Sequence, residues 1–137
     1  MAKELYVFDT NIVSSLLYER QRSLLMRIRR NQTDLLILCD SVIYEVERGL
    51  NHKRAERQLS RFRDEVFPMF TVASIQLADW HVAAVLWAST RDIGKQLSDV
   101  DLLIAAMALR LNGIVVTNDK DFAYLPMVRT ENWLQEG

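Results

Sequence analysis

The stretch LYVFDTNIV at residues 5–13 decides the fold, because an apolar run changes there into a helical pattern across three polar residues. Residues 5–8 are β-prone, and the polar triplet Asp9-Thr10-Asn11 ends the run. Apolar residues then recur at helical spacing, at Ile12, Val13, Leu16 and Leu17. The order strand, turn, helix predicts that the chain begins an α/β fold.

The same alternation continues along the chain. Residues 35–39 (LLILC) and 114–117 (IVVT) are continuous apolar runs, typical of strands buried on both faces. Shorter strands are predicted at 70–72 and around 127–129, and helices over 20–31, 41–49, 51–65, 75–90 and 98–112, the last closed by Gly113 as its C-cap. Because parallel neighbours need helical crossovers, this pattern predicts a mostly parallel sheet.

Composition limits the class of protein. The 137 residues are 50% hydrophobic with only four Gly and two Pro, so we expect one folded domain over residues 1–137. A single cysteine favours a reducing cytoplasm, and two histidines cannot build a His-rich or Cys/His zinc site. No apolar run approaches the roughly 18 residues of a membrane span, so we expect no membrane association.

Four acidic residues follow the predicted strands. Asp9 comes directly after the first strand, and Asp119 comes two residues after the strand at 114–117. Glu45 lies one turn into the helix after the second long strand, and Asp101 lies in the first turn of the helix that starts at Ser98. Because sites in open α/β sheets form beyond the carboxyl ends of the strands, we expect these four carboxylates to converge.

Converging carboxylates repel one another and are costly to desolvate, so something positive should lie among them. Lys120 is the only cation close to them in sequence. Carboxylate oxygens without Cys or His suit a hard divalent cation, Mg²⁺ or Mn²⁺. Such an ion activates water for phosphodiester hydrolysis, and the acids therefore predict a metal-dependent hydrolase.

Each acid also has a purely structural interpretation. Asp9 or Asn11 could cap the first helix, the sequence SDVD at 98–101 resembles a capping box, and the Asp residues of NDKDF at 118–122 suit a turn. Glu45 has Glu47 beside it as the alternative, solvated acid. The metal prediction therefore depends on convergence of all four.

Taken together, four segments resemble the PIN domain, specifically the small VapC-like toxins of type II toxin–antitoxin systems. They are FDTN at 8–11, SVIYEVERG at 41–49, SDVDLLIAAMAL at 98–109 and VVTNDKDF at 115–122. Their order and spacing match over nearly the whole chain, and the tail LPMVRTENW at 125–133 also resembles the closing strand of that group.

The resemblance implies a PIN-like three-layer α/β/α sandwich with a mostly parallel sheet of about five strands. It implies an endoribonuclease dependent on Mg²⁺ or Mn²⁺, with RNA as substrate, a cognate antitoxin as partner and a homodimer as assembly. Asp9, Glu45, Asp101 and Asp119 match the catalytic, metal-binding acids of the family, and Asp99 matches a further acid that contributes to metal binding. Asn11 and Thr117 match polar residues that brace the acids.

Two other function classes compete with this interpretation. A non-catalytic PIN fold could act as a protein-interaction or RNA-binding module, but such a module has no electrostatic reason to keep four mutually repelling carboxylates. A phosphotransfer domain of the haloacid-dehalogenase type needs a second aspartate two residues after the first, where this chain has Asn11. A receiver domain needs an acidic pair after its first strand, which the chain lacks.

The net charge of −1 conceals a segregation of charge. Residues 20–63 hold eleven Lys or Arg against five acids, whereas residues 64–137 hold five against ten. The basic segment is a candidate surface for RNA phosphates, with solvated helix faces as an equal alternative. Its candidate residues are Arg20, Arg22, Arg27, Arg29, Arg30, Lys53, Arg54, Arg57 and Arg61.

Trp80 and Trp87, seven residues apart on one helix, are predicted to pack in the core or a dimer interface.

Overall fold

The computed structural model describes residues 3–18 and 21–135. The described strands are β1 (Leu5–Phe8), β2 (Leu35–Cys39), β3 (Thr71–Ala73), β4 (Ile114–Val116) and β5 (Arg129–Glu131). They form one five-stranded sheet of order β3-β2-β1-β4-β5, in which every neighbouring pair is parallel. Helices cover the sheet in a three-layer α/β/α sandwich, as predicted.

The connections between the strands are mainly helical. The α-helices are α1 (Thr10–Ser15), α2 (Arg22–Arg30), α3 (Asp40–His52), α4 (Glu56–Arg61), α5 (Leu77–Asp92) and α6 (Asp99–Arg110). Shorter turns are π-helical over Phe62–Val66 and 3₁₀-helical over Phe67–Met69 and Lys120–Tyr124. Among the described residues, none of these helices has the length and apolarity that crossing a membrane requires.

The strand β1 is central in the sheet and carries Asp9 at its end. Val7 pairs with Ile37 of β2 on one side and with Val115 of β4 on the other. Val7, Phe8 and Val115 are completely buried, as expected for strands covered by helices on both faces. The edge strands β3 and β5 are shorter and more exposed, and each lies one or two residues further along the chain than the sequence predicts.

The predicted helix over 51–65 is wrong as a single element. The helix α3 runs on to His52, and the chain then turns at Arg54, whose φ of 55° is left-handed. A short α4 follows, and a π-helical turn then buries Phe62 and Val66 together. Apolar anchors in this polar stretch therefore fix a bend and not a continuous exposed helix.

The predicted C-cap role of Gly113 is also wrong. The residue with left-handed backbone after α6 is Asn112, at φ 53°. Asn112 donates its N–H to the Leu109 carbonyl at 3.3 Å, and Gly113 donates to the Ala108 carbonyl at 2.8 Å, which are the two bonds of a Schellman motif. Gly113 is needed for another reason, because a Cβ there would lie 2.6 Å from Leu5 Cδ2 and 3.0 Å from the Leu5 carbonyl oxygen.

A partly buried ion pair joins α5 to α6. Arg110 Nε and Nη2 donate to the two oxygens of Asp79 at 2.7 and 3.0 Å, and the Gln76 N–H donates to the same carboxylate at 2.9 Å. Burial raises the pKa of Asp79, but the bonds from Arg110 and Gln76 outweigh it and leave that pKa below its usual value. The pair holds the helix that carries Asp101.

Candidate functional site

Asp9 is placed where β1 ends and α1 begins, and its side chain is only 2% exposed. Its backbone N–H donates to the Val116 carbonyl at 3.0 Å, which ties it to the end of β4. Its carboxylate makes no capping bond to α1, so helix capping does not explain this acid. The structure instead points the carboxylate toward the carboxyl end of β4, where Thr117 Oγ1 donates to Asp9 Oδ2 at 2.7 Å.

Thr117 joins two of the predicted acids through one hydroxyl. While it donates to Asp9, its oxygen accepts the backbone N–H of Asp119 at 3.0 Å. The Thr117 N–H in turn donates to the Glu131 carbonyl on β5 at 3.0 Å. The hydroxyl therefore fixes the position of the Asp9 carboxylate relative to the loop that carries Asp119.

Two of the purely structural interpretations of the acids, as turn and capping residues, are correct in part. Asp119 Oδ1 accepts the Asp121 N–H at 2.9 Å and so begins the 3₁₀ turn after β4. Ser98 Oγ accepts the Asp101 N–H at 3.1 Å, so Ser98 caps α6 as the capping-box pattern predicts. The bond at α6 is to the backbone of Asp101, while the Asp101 carboxylate lies close enough to Ser98 and to the other acids for them to shift its pKa.

The pKa values of Asp9 and Asp101 place these two carboxylates within electrostatic range of Glu45 and Asp119, and the four residues are called the acid cluster below. The pKa of Asp101 is raised to about 7, first by burial and then by the negative charge of Asp9, against the bond with Ser98 and with further contributions from Asp119 and Glu45. Burial also raises the pKa of Asp9, despite its bond from Thr117, and Asp119 and Glu45 add to the shift. The carboxylates predicted to converge therefore do act on one another.

Little positive charge offsets this cluster. Arg48 Nη2 lies 3.4 Å from Glu45 Oε2, and it forms the only ion pair that any of the four acids makes within residues 3–18 and 21–135. Lys120 is exposed and forms no ion pair with them in that part of the chain. Lys120 was predicted from the sequence as the cation near the acids, and Arg48 was not considered. The only signal for the Glu45–Arg48 pair in the sequence is the spacing of three residues on one helix.

The donor set can be tested for its fit to a metal ion. Across the described ranges, no three Asp, Glu, His or Cys side chains lie close enough to hold an ion together as they stand. Mg²⁺ keeps several waters and is usually bound through one or two carboxylates, so a closed cage is not required. The buried Asp9 carboxylate forms no ion pair with any described residue and lies among other carboxylates, and such an all-oxygen donor set fits the ion.

One buried polar atom beside this cluster lacks a partner. In the described part of the chain, Thr10 Oγ1 is the only buried side-chain oxygen or nitrogen without a hydrogen bond. It immediately follows Asp9, and the sequence interpretation assigned it no role.

Asp99 and Asn11 are placed differently from the four acids. Asp99 is exposed and lies about 200° around α6 from Asp101, since two helical positions separate them. It lines a groove of about 310 Å³ between α5 and α6 together with Trp80 and Trp87. Asn11 is exposed on α1.

The two tryptophans are 55% and 43% exposed, so the core-packing prediction for them is wrong, whereas packing in a dimer stays a prediction.

The basic candidates do not share one surface. Arg27 is engaged by the fold, with Nη2 2.9 Å from Glu131 Oε1 and its guanidinium over the ring of Trp133. Arg29 and Arg30 end α2 just before β2 begins, which places them toward the amino ends of the strands and away from the acids. Arg61 pairs with Glu65 at 3.1 Å. Exposed side chains are those of Arg22, Lys53, Arg54 and Arg57, and Arg20 lies outside the described residues.

Comparison with known proteins agrees with this architecture. The family model described as "PIN domain" matches residues 6–126. A comparison with curated proteins finds no significant match.

Solved structures share the fold at low sequence identity. A chain of DNA-bound VapBC from Salmonella typhimurium superposes with a TM-score of 0.85 at 21% identity, covering 97% of this chain and 99% of that one. A chain of VapBC2 from Rickettsia felis bound to a promoter DNA fragment gives 0.81 at 20% identity, covering 94% and 98%. A chain of a toxin–antitoxin complex from Klebsiella pneumoniae gives 0.67 at 20% identity, covering 93% and 97%.

Proposed function

We propose that this chain, which belongs to the PIN-domain family, is a metal-dependent endoribonuclease that hydrolyses RNA phosphodiester bonds. The observation that carries the proposal is the cluster of Asp9, Glu45, Asp101 and Asp119, whose charges act on one another. Three of these acids lack a cationic side-chain partner among the described residues. A site of this kind is costly for folding and is explained most simply by a bound cation.

The four acids share one role in this proposal. Asp9, Asp101, Asp119 and Glu45 would hold Mg²⁺ or Mn²⁺, directly or through water. When bound, the ion supplies an activated water and stabilises negative charge on the phosphoryl oxygens. Asp99 is left out of this set, because it lies on another face of α6 beside the tryptophan groove.

The remaining residues of the site orient the acids. Thr117 holds the Asp9 carboxylate in place and ties it to the Asp119 backbone. Ser98 fixes the first turn of α6, from which Asp101 extends. The nearly complete burial of Asp9 keeps bulk water from its carboxylate, which strengthens its interaction with any cation.

Similarity in fold to VapBC and toxin–antitoxin complexes supports a biological context. We place this chain as the toxin of such a pair, with a cognate antitoxin protein as its partner and the cytoplasm as its site of action. The exposed tryptophans on α5 support a homodimer, because contiguous exposed apolar patches mark interaction sites.

A growth assay tests the proposal in cells. Expression of the chain alone in bacteria is expected to arrest growth, and Asp9→Asn and Asp101→Asn are expected to relieve the arrest. Asp121→Asn is the matched control, because Asp121 is an exposed acid in the same turn as Asp119 and contributes only its backbone to that turn. Sequencing of RNA ends after induction then identifies the RNA that is cut. Arrest of equal strength by all the variants would contradict the assignment of the site.

A further inference from the structure

An aromatic side chain next to the acid cluster lies outside the hydrophobic core. Tyr44 directly precedes Glu45 on α3 and is 63% exposed. Arg48, one turn further on, has its guanidinium carbon 5.2 Å from the centroid of the Tyr44 ring. Because Arg48 also contacts Glu45, the three residues form one continuous patch that begins at the acid cluster.

The chemistry of this patch suits a nucleotide. Tyr44 offers a flat ring with a large free surface, and bases of any identity stack on such rings. Arg48 is held to Glu45 by one contact of 3.4 Å, so most of its five N–H donors are free to bind phosphate. That contact is on the surface and contributes little to folding, so Arg48 can exchange it for a phosphate oxygen at small cost.

We propose that Tyr44 is the stacking platform for a base of single-stranded RNA next to the scissile phosphate, and that Arg48 binds the adjacent backbone phosphate. The inference rests on the proposed nuclease function and names the substrate form, which is unpaired RNA. A protein partner fits this patch less well, because one ring between a cation and a carboxylate offers little continuous apolar area. The groove with Trp80 and Trp87 is the more apolar surface.

Binding of a fluorescent RNA tests the proposal. The probe is a short single-stranded RNA of mixed sequence that contains 2-aminopurine, and the protein carries Asp9→Asn so that the RNA stays intact in Mg²⁺. Stacking on Tyr44 is expected to quench the probe. Tyr44→Leu, which keeps an apolar side chain but removes the flat ring, should abolish the added quenching and weaken binding about tenfold. Tyr44→Phe should retain both.

The arginine is tested in the same assay. Arg48→Ala should weaken binding and reduce the magnitude of the negative slope of log affinity against log salt by about 0.7, as expected for one lost phosphate contact on a single strand. Arg48→Lys should restore the salt slope in part. Arg29→Ala is the matched control, since Arg29 is exposed and lies toward the opposite edge of the sheet, and it should leave the quenching unchanged.

The outcomes separate this inference from the function on which it rests. Unchanged affinity and quenching in Tyr44→Leu overturn it, even if the acids prove essential for cleavage. If quenching depends on Tyr44 but the parent protein cuts no RNA, the inference about Tyr44 is supported and the nuclease proposal is overturned. A Tyr44→Leu protein that loses protein–protein association but binds RNA normally assigns the patch to a protein partner and overturns the inference. Absence of RNA binding by the Asp9→Asn protein, together with absence of cleavage by the parent, overturns both proposals.

Discussion

Thr117 donates a 2.7 Å hydrogen bond to the Asp9 carboxylate, although 108 residues separate them in sequence. The bond crosses from the end of β4 to the end of β1 and is completely buried. Because the same hydroxyl accepts the Asp119 N–H, it unites the two acids that follow the central strands. The geometry of the candidate site therefore depends on one small polar side chain.

Removing this hydroxyl should damage both stability and activity. Thr117→Val keeps the shape but leaves the buried Asp9 carboxylate without its side-chain donor, at a cost of about 1–3 kcal/mol in the free energy of unfolding. RNA cleavage should fall as well, since Asp9 loses its orientation. Urea unfolding and a cleavage assay measure the two effects. Thr117→Ser keeps the hydroxyl and should retain most of both properties, and equal losses in the two variants would show that the hydroxyl is not responsible.

Neutralising one acid should stabilise the protein in the absence of metal. Asp101 is partly buried and repelled by Asp9, Asp119 and Glu45, so Asp101→Asn is expected to raise the free energy of unfolding by about 0.5–2 kcal/mol in EDTA at neutral pH. Adding Mg²⁺ should raise the melting temperature of the parent more than that of the variant, because an ion bound only by the folded state stabilises it. An Asp101→Asn protein that is less stable than its parent in EDTA contradicts the repulsion argument.

The Asp79–Arg110 pair predicts a specific pH dependence of stability. Because the pKa of Asp79 is lowered in the fold, its charged form stabilises the protein above its unfolded pKa, and this stabilisation is lost as the pH falls through the lowered value. Asp79→Asn should cost about 2 kcal/mol at neutral pH, less than for a fully buried pair because the Arg110 side chain is 24% exposed.

Urea unfolding at a series of pH values measures this effect. The difference between parent and variant should be constant above about pH 5 and shrink below about pH 4. Asp92→Asn, at the exposed end of the same helix, serves as the control and should change little. A difference that persists unchanged into acid would show that the charge of Asp79 is not its source.

At the end of α6, the left-handed position that the sequence assigned to Gly113 belongs to Asn112, and Gly113 is required for close packing against Leu5. Gly113→Ala would place a methyl group against the Leu5 side chain and carbonyl, and the resulting strain should cost about 1–3 kcal/mol. Asn112→Gly, at the position with left-handed backbone, should be nearly neutral because glycine adopts that conformation without strain. Thermal melts of both variants test this prediction. Equal destabilisation of the two variants would contradict the assignment of the left-handed position to Asn112 and of the close contact to Gly113.

The buried elements were predictable from sequence, because their patterns are set by local periodicity. The bounds of β1 and β2 agree with the apolar runs, and parallel pairing follows from the helices between them. The segment after α3 was not predictable, since a left-handed turn at Arg54 and a π-helical turn break the periodicity on which the single helix rested. Such interruptions are decided by burial of Phe62 and Val66, which is a tertiary effect.

The candidate site was likewise predictable from the sequence only in part. That Asp9, Glu45, Asp101 and Asp119 lie within electrostatic range of one another was predictable, because the carboxyl ends of parallel strands share one edge, whereas their role in metal binding stays a prediction. The position of Asp99 depends on its angle around α6, which the capping pattern alone does not resolve. The Arg48–Glu45 pair was predictable in principle, because the two residues are three positions apart on one helix, but proximity along the sequence to the strand ends pointed to Lys120 instead.

Cleavage of RNA by the purified chain is the most direct measurement. An end-labelled single-stranded RNA is incubated with the protein in Mg²⁺ or Mn²⁺, with and without EDTA, for the parent, Asp9→Asn, Asp101→Asn and the control Asp121→Asn. The parent and the control are expected to cut the RNA only when metal is present, and the other two variants should lose at least about two orders of magnitude in rate. Cleavage that survives EDTA and is unchanged by both Asp9→Asn and Asp101→Asn would contradict the proposed metal-dependent site.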